Sequence, residues 1–339
     1  MRALEFGTTG FYPAFDGIER AQMNEGLGFD IQGFSENHSR ATDCFGEMRD
    51  AARGTSRIRL ACGPVNFVTR HPGVVAAGII PIQIVSGGRA ICNVASGDSA
   101  VAAAGKQRQG IDDMERDLKI LRTYLENGTV EYDNGKTSRL EWADDLNWPH
   151  LPIQMVASGP RAIALAARRA DRICLGIGTN PERVRWALDI IDAELARHGR
   201  DREKMRIGLF VPLAITADRA SGRAALRLRV SAWVHMQSGT GTDLSLQPAI
   251  LRKATEHMRN NYDYSFHRPD APPENPNSAI IGEDLGDWMG IGGPASYCID
   301  RMGELAGMGI DFFMTAAMAL PEREPYCAEI MPPLRKLRS

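Results

Sequence analysis

The chain has 339 residues, 43% apolar and 24% charged, the balance of a soluble globular protein and not of a disordered, collagenous or coiled-coil one. Forty Lys and Arg against 42 Asp and Glu leave a formal charge of -2, with the signs interspersed and no basic block, so no phosphate-backbone footprint exists and nucleic acid is excluded as a partner. No apolar run reaches the roughly 18 residues a membrane helix needs, and the charges of Arg2 and Glu5 sit where a signal peptide is apolar, so a cytoplasmic protein without a membrane partner is expected. In chain order, short apolar runs rich in β-branched or aromatic residues fall at 3–6, 29–34, 58–62, 90–94, 153–156, 172–175, 206–211 and 310–314. Helical periods lie between them, including 111–126, 161–169, 182–198 and 295–306, the last opened by Gly293-Pro294 as a helix start. Eight strand–helix units in one chain of this length predict an α/β fold: a single-domain (β/α)8 TIM barrel over residues 1–339 with insertions.

Two stretches are longer than one helix requires. The first, after the fourth strand, ends at Trp148, Pro149 and Pro152. The second, between the seventh and eighth strands, has a polar, aromatic and proline-rich middle over 260–276, read as a structureless insertion over about 238–285 that covers the site as a lid or makes an oligomer contact. The six cysteines, Cys44, Cys62, Cys92, Cys174, Cys298 and Cys327, form no C-x-x-C pair and read as reduced, mostly buried thiols.

In a parallel barrel the reactive residues follow the strand ends. After the second strand come Ser35-Glu36-Asn37-His38; after the third, Gly63-Pro64-Val65-Asn66-Phe67 and then Thr69-Arg70-His71-Pro72; after the fourth, Ser96-Gly97-Asp98-Ser99. The fifth is followed by Ala157-Ser158-Gly159-Pro160 and the sixth by Gly176-Ile177-Gly178. Ser158-Gly159-Pro160 opens a helix, whose free amides and positive dipole end suit an anion, and Gly176 and Gly178 would add backbone donors; two ordinary glycine turns are the alternative. Glu36 and His38 are candidate acid or base groups, a carboxylate in a dry pocket being able to relay protons. Asp98 is either a proton donor or the N-cap of the next helix. His71, before a helix, reads as structural, and Phe6, Phe67 and Trp148 are either pocket walls or core. No His-x-His or paired carboxylates stand at the strand ends, so a metal-dependent hydrolase is disfavoured and no metal site is assigned.

The motifs of residues 58–98, with Thr69-Arg70-His71-Pro72, Ser86-Gly87-Gly88-Arg89 and Ser96-Gly97-Asp98-Ser99, followed by Ala157-Ser158-Gly159-Pro160 and Gly292-Gly293-Pro294, resemble in order and spacing the bacterial luciferase-like flavin oxidoreductases. Within these, the methylenetetrahydromethanopterin-reductase-like proteins are the most similar subgroup. The resemblance covers about 2–199 and 291–321. It implies a TIM barrel holding a flavin or 5-deazaflavin, with a cis peptide behind the ring that falls by position at Gly63-Pro64, where a cis bond is far less unfavourable than before a non-proline residue. It also implies cofactor contacts from Phe6, Asn66, Ser96, Gly97 and Asp98, and a phosphate near Ala157, Ser158, Gly159, Gly176, Ile177 and Gly178. Many members place a histidine directly after the acid; here Asn37 intervenes. The leading expectation is a monooxygenase in which reduced FMN from a separate flavin reductase, with O2, oxygenates a small organic substrate. The alternatives are a coenzyme F420-dependent reductase or dehydrogenase that moves hydride without O2, and a non-catalytic flavin-binding protein. A homodimer is the family expectation.

Overall fold

The structure, a computed structural model, describes residues 2–10, 15–239, 243–267, 271–316 and 320–338. Each of the eight apolar runs forms a strand: β1 (Glu5–Thr9), β2 (Ile31–Phe34), β3 (Arg59–Cys62), β4 (Ala90–Val94), β5 (Ile153–Ala157), β6 (Arg172–Leu175), β7 (Arg206–Val211) and β8 (Phe312–Ala316). They close into a parallel barrel in the order β1-β8-β7-β6-β5-β4-β3-β2, so sequence neighbours are neighbours in the sheet, as right-handed β-helix-β connections dictate. The strands read as continuous apolar runs because both faces are covered; every residue of β2, β4 and β6 is buried. Two compact units divide the chain, residues 11–156 with 165–172, and residues 1–10 with 157–164 and 173–339.

The first unit carries α1 (Gly17–Gly26), α2 (Cys44–Gly54), α3 (Pro72–Val85), the short α4 (Ser99–Ala103) and α5 (Ile111–Leu125). His71 caps α3, its Nδ1 accepting from the Gly73 amide at 3.1 Å, which is the structural role expected of it. Arg89 is a clamp at the start of β4. Its guanidinium donates to the carbonyls of Ala52, Thr55, Ile58 and Ser86 at 2.8–2.9 Å, so the Ser86-Gly87-Gly88-Arg89 motif is architectural. Inside, Gln154 Nε2 donates to Asn93 Oδ1 at 3.2 Å and Arg172 Nε donates to Gln154 Oε1 at 3.0 Å, a buried polar ladder over neighbouring strands that satisfies groups costly to leave unpaired.

In the second unit come α6 (Pro160–Arg169, shared with the first), α7 (Pro181–Arg197), α8 (Arg219–Arg229), α9 (Ser231–Met236), α10 (Ala249–Asn261), α11 (Pro276–Ala279), α12 (Glu283–Met289) and α13 (Ala295–Gly307). Residues 213–215 and 291–293 pair as a parallel two-stranded ribbon, so the insertion leaves and returns at one place. It is not the structureless segment expected from its composition. Leu226, Val230, Val234, Leu251, Ala254, Met258, Leu285 and Met289 form its own apolar core, because these residues recur at helical spacing on either side of the proline-rich middle. Residues 240–242 and 268–270 of the expected lid lie outside the described residues. All six cysteines are free thiols, five buried and Cys327 half-buried. No helix among the described residues is long and apolar enough to cross a membrane.

Candidate functional site

In the first unit the candidate residues stand at the ends of β2, β3 and β4. The Gly63-Pro64 peptide is cis, as its position implied. The chain kinks there, leaving Pro64 exposed, and returns to β4: Val65 N donates to Asn93 O at 2.9 Å and Ala95 N to Val65 O at 3.0 Å. Asn66 is 1% exposed. Its Oδ1 accepts from the amides of Val68 and Thr69 and from the Thr69 hydroxyl at 3.0–3.1 Å, so that oxygen holds the turn and is not the cofactor contact the resemblance implied. Phe67 is 9% exposed and belongs to the core.

The acid–base pair expected after β2 is not assembled. Both Glu36 oxygens accept from Arg70, from Nε at 2.9 Å and Nη2 at 3.1 Å, and Arg70 Nη2 also donates to Asp43 at 2.6 Å. Burial penalises the Arg70 cation, yet the hydrogen bonds and charge of Glu36 and Asp43 outweigh it and raise its pKa above the ordinary arginine value. Glu36 is therefore one arm of a bidentate ion pair, and His38 is exposed to solvent. Asn37 takes the buried place instead: it is 1% exposed, donates from Nδ2 to Ser99 Oγ at 3.0 Å and accepts from the Ser39 amide and hydroxyl at 3.1 and 2.8 Å. Glu36, Asp43 and Cys44 bring one ligand atom each within 4.8 Å of one another. A metal there would meet the Arg70 guanidinium already bridging both carboxylates, and burial pushes the Cys44 thiol well above its usual range, so the cluster is an ion-pair node and not a metal centre.

After β4, Asp98 occupies the N-cap position of α4 but makes no side-chain cap; its carboxylate pairs with Arg108, which overturns the capping alternative. Gly97 has φ +91° and a Cβ there would lie 2.3 Å from Val101 Cγ2, so only glycine fits the turn. The Ser96 hydroxyl makes no hydrogen bond to another described residue, while its carbonyl accepts from the Gln109 amide at 3.1 Å. Cys62 and Cys92, in the strands behind, are fully buried, and burial followed by its neighbour Cys92 raises the Cys62 thiol well above its usual value.

In the second unit, Ser158 and Gly159 precede α6 as expected. A Cβ at Gly159 would meet nothing within 4 Å, so a ligand group can approach the first turn, whose amides lack intrahelical partners. Ala157 is 3% exposed, and the Ser158 hydroxyl donates to the Met236 carbonyl of α9 at 3.3 Å. Gly176 does not supply the donor expected of it, because its amide donates to Ala157 O at 2.9 Å. Ile177 is fully buried, and Gly178, at φ +87°, is a glycine because Met289 lies 3.1 Å from where a Cβ would be. Phe6 is likewise no pocket wall: it is fully buried, its ring stacked on Phe313 at 6.2 Å, edge-on to Tyr326 at 6.1 Å and beneath the Arg335 guanidinium at 5.1 Å. Trp148, in the first unit, precedes β5, at the end opposite the strand termini that carry the candidates, and its Nε1 donates to Leu125 O at 2.9 Å.

Sequence reasoning passed over Arg70, Arg108 and Arg183. The signal for the first was positional, since Glu36 and Arg70 follow the ends of adjacent strands; for Arg183 it was the Asn180-Pro181 helix start three residues earlier.

The luciferase-like monooxygenase family model matches residues 8–311. The 5,10-methylenetetrahydromethanopterin reductase of Archaeoglobus fulgidus is 24% identical over 310 residues, 89% of this chain and 90% of that protein. Among solved structures, the coenzyme F420 dependent tetrahydromethanopterin reductase of Methanopyrus kandleri superposes with a TM-score of 0.73 at 19% identity, covering 98% of this chain and 100% of that one. The oxygenating constituent of 3,6-diketocamphane monooxygenase from Pseudomonas putida, in complex with FMN, gives 0.65 at 14%, covering 98% of each. With the family model spanning most of its length and the barrel in place, the chain belongs to the luciferase-like monooxygenase family of oxidoreductases.

Proposed function

We propose that the protein is a coenzyme F420-dependent oxidoreductase that moves hydride between the cofactor and a small organic substrate. The observation that carries this reading is the closure of Glu36 by Arg70 with His38 turned to solvent. The strand-end residues then bind and orient, which suits transfer of a hydride from carbon to carbon and leaves no proton relay at the end of β2. The similarity to the Archaeoglobus fulgidus reductase over nearly the whole of both chains supports the same choice.

Each unit, taken by itself, offers groups of the kind that a tricyclic cofactor with an anionic tail needs. Pro64 on its cis turn offers an exposed apolar support, and the Ser96 hydroxyl is a donor with no partner among the described residues. The open first turn of α6 at Gly159 would hold the tail's phosphate. When bound, a deazaflavin supplies a carbon that accepts or gives hydride, chemistry that belongs to the cofactor. Asn37 and Ser99 fix the entry to α4, Gly97 and Val101 fix the loop that carries Ser96, and the Arg108 cation holds the Asp98 carboxylate.

An FMN-dependent oxygenase, with a separate flavin reductase as partner, is the second reading, supported by the likeness to an FMN complex. Titration with F420 and with FMN, followed by tryptophan fluorescence, is expected to show the tighter binding for F420. Gly159→Asp, which adds a negative charge in open space, is expected to weaken that binding about tenfold or more without altering the fold. Binding of neither cofactor, or unchanged affinity in Gly159→Asp, ends the reading; tighter FMN binding with oxygen uptake favours the second.

A further inference from the structure

Arg183 is a cation in a place that disfavours cations. It lies in the first turn of α7, where Asn180 Oδ1 accepts its amide at 3.1 Å and the helix dipole presents its positive end. Its side chain is 7% exposed, and burial alone pushes its pKa down to about 10. No carboxylate among the described residues pairs with it. Its guanidinium lies over the Trp186 ring at 3.5 Å and donates one hydrogen bond, from Nη2 to Gln247 Oε1 at 3.2 Å. Nε is buried with no partner. Unpaired buried charges are rare, since removing a cation from water is expensive unless an anion compensates.

The surroundings are built around this cation. Gln247, 6% exposed, turns its oxygen to Arg183 and donates from Nε2 to the Gln237 carbonyl at 3.3 Å. Gln237, 3% exposed, donates from Nε2 to Met289 Sδ at 3.5 Å, which leaves its Oε1 buried without a partner. The adjoining Met236 carbonyl accepts the Ser158 hydroxyl. A continuous chain of contacts through the insertion therefore links Ser158, at the start of α6, to Arg183, at the start of α7. An orphan donor on a buried cation calls for a ligand that bears negative oxygens.

We infer that Arg183, oriented by Gln247 and Trp186, is a binding residue for an oxyanion, a phosphate or a carboxylate, carried by the ligand of this protein. The inference rests on the cofactor reading only for where the anion comes from; the uncompensated cation stands without it.

The test is thermal unfolding of the whole chain at constant ionic strength, with chloride replaced by inorganic phosphate or by glutarate, together with FMN and riboflavin titrations. Phosphate is expected to raise the wild-type midpoint and to leave Arg183→Met unmoved; a response to glutarate alone assigns the anion to a carboxylate. FMN is expected to bind the wild type at least about tenfold more tightly than riboflavin, a preference that Arg183→Met reduces severalfold if the anion is phosphate. Gln247→Glu keeps the shape and supplies an internal carboxylate. It is expected to raise the midpoint without added anion and to erase the response to either, so the outcome does not depend on Arg183→Met folding. Arg183→Met or Gln247→Glu responding like the wild type overturns the proposal, as does a wild type indifferent to both anions. If Gly159→Asp loses the cofactor while Arg183→Met keeps it, the cofactor reading survives and this one fails. If no flavin or deazaflavin binds yet the anion response is lost in both Arg183 and Gln247 variants, the reverse holds.

Discussion

Arg70→Met tests whether the node at the strand ends is held together by charge. The substitution removes two hydrogen bonds to Glu36, of 2.9 and 3.1 Å, and one of 2.6 Å to Asp43. The two arms are unequal, because the Glu36 side chain is 8% exposed and that of Asp43 55%. Solvent screening limits the Asp43 arm to about 0.5 kcal/mol, whereas Glu36 left buried without its cation is worth a loss of about 3 kcal/mol. Methionine retains most of the apolar contact with Phe45, whose ring lies 5.1 Å from the guanidinium carbon, so the expected loss is about 3 kcal/mol in equilibrium urea unfolding. The pKa of Arg70 is raised in the folded state. Stability from that shift is complete at every pH below the ordinary arginine range and is lost only as pH rises beyond it. The difference between wild type and variant therefore stays flat from neutral pH to about pH 9. The double variant Glu36→Gln/Arg70→Met, in which neither charge remains, is expected to recover about 2 kcal/mol relative to Arg70→Met alone. A loss below about 1 kcal/mol in the single variant, or a double variant no more stable than it, refutes the assignment of Glu36 as one arm of an ion pair.

Gly97→Ala forces a side chain into a positive-φ turn and against Val101, and a destabilisation of about 2 to 3 kcal/mol is expected by urea unfolding; an alanine tolerated there would mean the turn is not fixed as described. Burial raises the Cys327 thiol to about 11, so at pH 8 about one part in a thousand is thiolate. Native protein should react slowly with a thiol reagent, at Cys327 before any other cysteine, and about tenfold faster for each pH unit up to about pH 10; rapid labelling of several cysteines at pH 8 would contradict their burial.

The barrel was legible because each strand is buried on both faces and so reads as an apolar run, and because the helical periods fall between. The kink at Gly63-Pro64 and the opening of α6 after Gly159 were legible through motif order. What each strand-end group does with its hydrogen bonds was not. Glu36 and Arg70 are 34 residues apart, and no local pattern says that two neighbouring strand ends will exchange charges. Gly176 reads as a spare donor until the β5–β6 contact that consumes its amide is seen. Phe6 sits in an apolar strand, and only the packing of Phe313, Tyr326 and Arg335 decides which side it faces. The insertion was misread because its composition is averaged over a polar middle, while its apolar residues recur on one face of each flanking helix.

The distribution of compensated and uncompensated charge narrows what the protein can bind. At the ends of β2 to β4 the acids are paired with cations: Glu36 and Asp43 share Arg70, and Asp98 has Arg108. Among the described residues, the groups we assign to a ligand there are neutral: a serine hydroxyl and the face of a proline. In the other unit Arg183 is buried with no acid partner among the described residues. A polyanion would find the first set of groups already neutralised, and a cation would find nothing to replace Arg70 or Arg108. The neutral groups of the one unit suit an uncharged aromatic ring, the buried cation of the other suits an anion, and each preference is separately breakable. Arg108→Met exposes the Asp98 charge and should lower affinity for the aromatic body alone, seen with riboflavin as well as FMN, whereas Arg183→Met should act only on ligands that carry the anion. Equal losses for both ligands in both variants would refute both assignments.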